Sequence, residues 1–238
     1  MANFVHLFFG EVKRLFKYKI IFFGIVVSLI WVGIIFALDK ETAKGFLPFL
    51  AMLDAGMMSI VLLAASFFLE KSEGSLATLF VSPVSIAQVL LSKLASAIFS
   101  AFISMMLVLG AGYLIHGIPF SIPLAILYLI AIVSSHTAIG YWITLKSKDF
   151  PSMMMRFMLW VLLMMIPSFL AMLNILTGDW KVVFLVSPMY SAETLITSLT
   201  NGGDALPVIV GCVYLLVIAS ILYIKVVYPR FKRHAIGG

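Results

Sequence analysis

Charged side chains are scarce in this sequence. Only 11% of its 238 residues are charged, 63% are hydrophobic, and the mean hydropathy is +1.17. A soluble domain is ordinarily about half apolar and about a quarter charged. The composition therefore excludes a soluble protein and predicts a membrane protein.

Cysteine and catalytic motifs are also lacking. The single cysteine, Cys212, lies inside an apolar run, so no disulfide can form within the chain. The sequence contains no H-E-x-x-H, no G-x-S-x-G and no G-x-x-x-x-G-K-[ST]. Its four histidines show no metal-ligand spacing. We expect a chain that is not an enzyme, holds no metal or cofactor, and does not itself bind ATP.

Long apolar runs dominate what is present. A helix needs about 20 mostly apolar residues to cross a bilayer, and barrel strands would instead alternate in polarity over about 10 residues. Six runs are long enough: 20–38, 46–69, 86–115, 118–145, 157–176 and 206–224. We predict an all-α membrane protein with six transmembrane helices in one membrane domain, 1–238.

The distribution of basic residues predicts the orientation. Six spans place both termini on one side, and all but three of the 16 lysines and arginines fall on that side; the exceptions are Lys40, Lys44 and Lys181. Because short cytoplasmic loops carry the excess of basic residues, we predict cytoplasmic termini. The net charge of +6 then reflects this bias and attraction to membrane lipids, with no reason to invoke nucleic acid.

Two apolar segments lie outside the six spans. Residues 3–19 place apolar side chains at spacings of three and four, which predicts an interfacial helix within residues 1–19; a plain cytoplasmic tail is the alternative. Within residues 180–200, the apolar run VVFLV at 182–186 is too short to cross, and Ser187-Pro188 then opens a second, weakly apolar helix. They predict a re-entrant helix pair in the outer leaflet, with an ordinary exposed loop as the alternative.

Asp54 is the clearest ionisable residue within a span, with His136 a possible second. An isolated carboxylate in hydrocarbon costs about 2.5 kcal/mol or more, so Asp54 should face protein or water. It either lines a substrate path or packs helices together, and the sequence favours neither. Ion-driven transport is poorly supported, because such carriers usually place several ionisable groups within their spans.

Small residues at helical spacing predict where helices pack. The third run carries a serine at every fourth position: Ser92, Ser96, Ser100 and Ser104. Gly24 and Ser28 form a shorter version in the first run. Small residues at this period let two helix backbones approach closely, so we favour packing over substrate contact.

The fifth run is rich in methionine and contains Pro167, which predicts a kink near its middle. Methionine is flexible and suits surfaces that repack. Met164, Met165 and Pro167 are therefore candidates for a substrate path, with lipid-facing filler an equal alternative.

The segment EKSEGSLATLFVSP, residues 70–83, joins the second and third runs. Ser72 can cap a short helix over 72–82, Pro83 ends it, and Leu76, Leu79 and Phe80 share one face. Such an apolar ridge fits a groove on a partner protein. The acidic residues also favour a protein partner over anionic lipid: they are Glu70 and Glu73.

With its continuation to Lys93, this segment resembles the stretch between the second and third spans of permeases of type-2 ATP-binding-cassette (ABC) exporters. The matching positions are Glu70, Lys71, Gly74, Leu76, Leu79, Pro83 and Lys93. The resemblance implies a coupling helix that docks into an ATPase subunit. It extends to the interfacial helix, the six spans and the apolar segment before the last span. It is nearest to small bacterial permeases named for fluoroquinolone export.

The resemblance implies the membrane subunit of a bacterial ABC exporter in the cell membrane. Two ATPase subunits carrying ATP and Mg would drive two permease subunits, identical or homologous, to export an amphipathic or apolar drug, peptide or lipid-like substrate. The alternative is a stand-alone membrane protein, such as an ion-driven carrier, a channel or a scaffold, that works with no ATPase.

Overall fold

The computed structural model of the chain describes residues 2–76, 84–173, 175 and 180–231. Over these ranges the secondary structure is helical and contains no strand. Six of the described helices are long and apolar enough to cross a membrane. The predicted all-α class with six spans is confirmed.

The first half of the chain forms a short helix and two long ones. A left-handed backbone at Lys19, with φ of 58°, lets the chain turn between the first two helices. A π-helical turn interrupts the second span. In order the elements are α1 Ala2–Lys17, α2 Ile20–Ala37, α3 Lys40–Met52, the π-turn Leu53–Met57 and α4 Met58–Ser72.

Four further spans and a short helical pair follow. The last span continues through a second π-turn to Phe231. The elements are α5 Ile86–His116, α6 Ile122–Thr144, α7 Phe150–Met172, α8 Trp180–Val183 with the 3₁₀ turn Phe184–Val186, α9 Pro188–Thr200, α10 Ala205–Leu222 and the π-turn Tyr223–Val227.

Polar caps explain why two spans begin before their apolar runs. Asp39 accepts hydrogen bonds from the backbone of Glu41 and Thr42, so the second span starts at Lys40 rather than at position 46. Asp149 accepts from the backbone of Ser152, so the fifth span starts at Phe150 rather than at 157. The hydropathy criterion therefore misses the polar first turns of both helices.

Helix α6 lies at the centre of the bundle, packed against α4, α5, α7, α9 and α10. The backbones of α6 and α4 come close together at Gly140, where an added Cβ would lie 3.3 Å from the Ile60 Cα of α4. A backbone atom cannot rotate away as a side chain can. The α4–α6 contact therefore depends on the missing side chain at position 140.

The short elements between α7 and α10 pack into the bundle. Helix α9 contacts α3, α6, α7 and α10 and buries an apolar face. The Ser191 hydroxyl donates to the Leu185 carbonyl at 2.6 Å, which joins the two halves of the pair. The first half of the pair stays largely exposed, at Val182, Val183 and Val186. A helical pair with one buried half is compatible with the predicted re-entrant pair at 180–200, whose depth in the bilayer stays a prediction.

Gly140→Leu should destabilise the bundle by about 1–3 kcal/mol, because the new side chain overpacks the α4–α6 contact. Gly110→Leu is the matched control, since an added Cβ there meets nothing within 4 Å. Thermal unfolding of the detergent-solubilised chain measures both. Equal loss of stability in the two variants would contradict the close packing at Gly140.

Candidate functional site

Four charged side chains meet in a buried cluster at the end of the bundle where α1 lies. The Lys93 ammonium lies 2.7 Å from both carboxylate oxygens of Glu70 and 3.1 Å from Glu11. The Arg14 guanidinium lies 2.9 Å from Glu70 and 3.1 Å from Glu11. We call Glu11, Arg14, Glu70 and Lys93 the ion cluster. It links α1, α4 and α5.

The ion cluster is electrically balanced, and three of its members are buried while Arg14 is partly exposed. Glu70 is 0% exposed and Lys93 is 7% exposed. The Ser66 hydroxyl donates a further hydrogen bond to Glu70, at 2.7 Å. Removing one partner from such a cluster leaves an uncompensated buried charge, which costs about 3–5 kcal/mol. The cluster therefore fixes the relative positions of three helices.

The pKa values of two groups are shifted: Arg14, which belongs to the ion cluster, and Tyr18, which lies next to it. Burial by itself lowers the pKa of Arg14, but the attraction of Glu11 and Glu70 more than offsets it, so the pKa is raised. The Tyr18 hydroxyl donates to the Glu73 carboxylate. Burial, together with this hydrogen bond, raises the pKa of Tyr18 to about 12. The α1 end is thus joined to α4 at Glu70 and to the segment after α4 at Glu73.

The predicted coupling residues fall into three groups. Glu70 and Leu76 are buried within the chain, Leu76 in an apolar cluster with Phe67 and Phe231. Glu73 and Gly74 are exposed. The remaining predicted residues lie outside the described residues: Leu79, Phe80 and Pro83. Contact of any of them with an ATPase stays a prediction, and Glu70 and Leu76 face the chain's own interior.

The prediction that Ser72 caps a following helix is wrong. Ser72 is the last residue of α4, and its hydroxyl donates to the Leu69 carbonyl at 2.8 Å. Gly74, with φ of 70°, follows in the left-handed conformation that commonly ends a helix. The sequence signal for a cap was ambiguous, because serine also bonds backward within a helix.

A second polar site lies inside the membrane domain. Asp54 is 2% exposed and lies on the π-turn, where its two carboxylate oxygens are 3.1 and 2.9 Å from the Ser28 hydroxyl of α2. The same hydroxyl lies 3.0 Å from the Gly24 carbonyl oxygen. An added Cβ at Gly24 would lie 3.5 Å from the Ser104 hydroxyl of α5. Three of the residues predicted to pack helices therefore lie around Asp54: Gly24, Ser28 and Ser104.

A narrow cavity connects this site with the ion cluster. Both Asp54 and Lys93 line it, and the hydroxyls along its wall belong to Ser59, Ser66, Ser96, Ser100 and Ser104. About 40 Å³ of it is open to the centres of water molecules. That volume holds roughly three waters and lies far below the ~300 Å³ or more of an organic-ligand pocket.

The π-turn beside Asp54 packs against the ring of His136. An added Cβ at Gly56 would lie 3.1 Å from His136 Nε2. His136 is fully buried, its Nδ1 lies 2.8 Å from the Ile132 carbonyl oxygen, and its Nε2 has no hydrogen-bond partner among the described residues. Single π-turns occur frequently at functional sites, and this one carries the only acidic residue in the interior of a span.

The predicted substrate-path residues of α7 lie near the helical pair. Met164 and Met165 are partly buried against the main core, and Pro167 is buried. The Ser187 hydroxyl donates to the Met164 carbonyl at 2.7 Å. This bond lies beside the carbonyl that Pro167 leaves without its helical donor. Contact of these residues with a substrate stays a prediction.

Sequence reasoning missed the partners of Glu70. Glu11 and Arg14 lie within the predicted interfacial helix and Lys93 near the start of the third run, and the sequence does not indicate that they meet Glu70. One signal was present: Glu11 is the only acid in a segment that otherwise carries lysine and arginine. An isolated carboxylate among basic residues indicates a specific partner.

A family model described as ABC-2 family transporter protein matches residues 39–228. The chain belongs to this family. It is therefore the multi-pass membrane component of an ABC transporter, a permease rather than a catalytic subunit. No curated protein matches the chain significantly.

The matched region of this ABC-2 permease contains α3 to α10, together with Asp54, Glu70 and Lys93. Helices α1 and α2 precede it. Glu11, Arg14 and Ser28 therefore add contacts from outside the matched region to polar residues within it.

Glu70→Gln should lower the stability of the permease by about 3 kcal/mol, because Lys93 and Arg14 would keep only Glu11 as a counter-ion. Glu73→Gln is the control, since Glu73 is exposed and surface polar contacts contribute little. Apparent melting temperatures in detergent make the comparison. Equal melting temperatures for Glu70→Gln and the parent protein would contradict the stabilising role of the cluster.

Proposed function

We propose that the chain is the membrane subunit of a bacterial ATP-driven exporter, coupled through residues 72–82 to a separate ATPase. The observation that carries the proposal is the position of the ion cluster. It anchors the end of α4 to α1 and α5, directly before the segment where the ATPase would dock. A force applied to that segment would move three helices together.

The coupling route runs through short, stiff contacts. Glu70 is two residues before the end of α4, and Ser75 donates to its backbone carbonyl at 3.2 Å. Leu76 inserts beside Phe67 and Phe231, which connects the same segment to the last span. Closure of the ATPase dimer would therefore displace α1, α4, α5 and the end of the last span as one group.

The proposed complex contains two permeases, identical or homologous, and two ATPases that hold ATP and Mg. The cavity between Asp54 and the ion cluster, at about 40 Å³, has no room for an organic substrate. Larger grooves of about 560, 650 and 520 Å³ open on the surface of the bundle. An amphipathic or apolar substrate would therefore move between the two permeases. Met164, Met165 and Pro167 of α7 are proposed to lie beside that path. Three residues of the same helix that would face it are exposed over more than half of their surface: Met155, Met158 and Leu162.

Introducing charge into the docking ridge tests the ATPase interface. Leu79→Glu combined with Phe80→Glu should abolish co-purification of the ATPase and substrate-stimulated ATP hydrolysis, because two carboxylates would have to be buried at the contact. The ATPase is sought in a neighbouring reading frame that encodes G-x-x-x-x-G-K-[ST]. Pull-down from membranes and a hydrolysis assay of the reconstituted complex make the measurement.

Lys148→Glu is the matched control, because Lys148 is exposed in the loop between α6 and α7 on the same side of the bundle. It should leave the ATPase bound. Retention of the ATPase by the double variant would show that residues 72–82 are not the docking site. Transport by the chain with no ATPase present would favour a stand-alone carrier or channel.

Cysteine labelling tests the proposed orientation. In a Cys212→Ser background, Lys148→Cys should react with a membrane-impermeant maleimide only after the cells are opened, and Lys44→Cys should react in intact cells. Both lysines are exposed and lie at opposite ends of the bundle. The reverse pattern would place the termini outside and remove residues 72–82 from the reach of any cytoplasmic ATPase.

A further inference from the structure

The hydrogen bonds around Ser28 accommodate a proton on Asp54. Its hydroxyl lies 3.0 Å from the Gly24 carbonyl and 2.9 and 3.1 Å from the two oxygens of Asp54. A hydroxyl has one hydrogen to donate and two lone pairs to accept with. With a proton on Asp54, the carboxyl donates to Ser28 and Ser28 donates to the Gly24 carbonyl. Both hydrogens in this series of three groups then have an acceptor.

An ionised Asp54 would be poorly compensated. It would receive one hydrogen bond, from Ser28, and no basic side chain forms an ion pair with it in the described ranges. The two nearby cations, Lys93 and Arg14, are already held by Glu70 and Glu11. A buried carboxylate without a counter-ion is strongly disfavoured, and binding a proton removes the cost.

Few titratable groups on the surrounding helices lie near Asp54. Helix α2 carries none, and α5 contributes Lys93 and, at its far end, His116, which is bonded to the Ile35 carbonyl. Helix α6 contributes Tyr141 to the cavity and His136 against Gly56. Glu11 of α1 reaches the cavity from the ion cluster, and the acids of α3 and α4 lie at the ends of the span.

The cavity provides a route for the proton. It extends from Lys93 and Glu11 at the α1 end to Asp54, along the serines of α5. Its volume accepts roughly three waters, and waters bridged by hydroxyls form a hydrogen-bonded path. Among the residues that the structure describes, none from the opposite end of the bundle lines it.

We propose that Asp54 is a proton-binding site inside the membrane domain, loaded from the α1 side through the cavity lined by Ser96, Ser100 and Ser104. One proton from water binds one carboxylate oxygen, and no other bond changes. The loaded carboxyl donates to Ser28 and thereby ties α2 to the π-turn. This proposal is independent of ATP-driven export, because it concerns the occupancy of one site in the isolated chain.

Infrared difference spectroscopy tests the occupancy. At about pH 6, where exposed carboxyl groups are ionised, the full chain in lipid nanodiscs should show the carbonyl band of a protonated carboxyl group. Asp54→Asn should remove this band, and Ser28→Ala should shift its frequency without removing it. Isotope-labelled aspartate should shift the band in the parent protein, which assigns it without relying on the folding of any variant.

Glu193→Gln is the matched control, because burial raises the pKa of Glu193 to about 7 and its carboxyl also contributes in this region of the spectrum. This variant should retain the Asp54 band. The measurement is made at about pH 6, near the pKa of an ordinary histidine. If the spectrum at this pH contains no band of a protonated aspartate, the proposal is overturned. Loss of the band on adding sodium or potassium at constant pH would make Asp54 a metal-cation site instead.

Deuterium exchange tests the route. After transfer to heavy water, the Asp54 band should shift rapidly in the parent protein and at least tenfold more slowly in Ser100→Leu, which fills the cavity. Ser220→Leu, at an exposed serine of α10, should exchange as the parent does. Equal rates in Ser100→Leu and the parent would overturn access through this cavity.

Discussion

The contact between Lys93 and Glu70 is the interaction on which the α1 end of the molecule depends. Each ion alone would be too costly to bury, so neither helix could keep its charge without the other. The pair sits between α4 and α5, and Glu11 and Arg14 extend it to α1. Charge neutrality thus specifies how α1 docks onto two spans whose apolar surfaces carry little information about orientation.

The same logic separates the two polar regions of the chain. The ion cluster balances two acids with two bases, whereas Asp54 has a hydroxyl as its partner. The first arrangement holds helices in place and responds weakly to its surroundings. The second has two states that differ by a proton, and its helix is locally widened by a π-turn. The fixed ion cluster and the adjustable Asp54 site therefore lie at different positions along the same span.

Much of the fold could be predicted because bilayer thickness sets the length of each apolar run. The ends were less predictable, since Asp39 and Asp149 start helices outside the apolar runs. The partners of Glu70 were not predictable, because its ion pairs join residues 56 and 23 positions apart, Arg14 and Lys93. Hydropathy reports depth in the membrane, and it carries no information on which polar residues meet.

The position of Glu11 and Arg14 outside the family-matched region affects how such permeases diverge and how they are recombined. A chimaera that joins the spans of this chain to the amino-terminal helix of a relative would leave Lys93 and Glu70 facing unmatched residues. Replacing that helix alone would remove the contacts that α1 makes with Glu70 and Lys93. The amino-terminal segment and the two spans that it contacts therefore form one electrostatic unit.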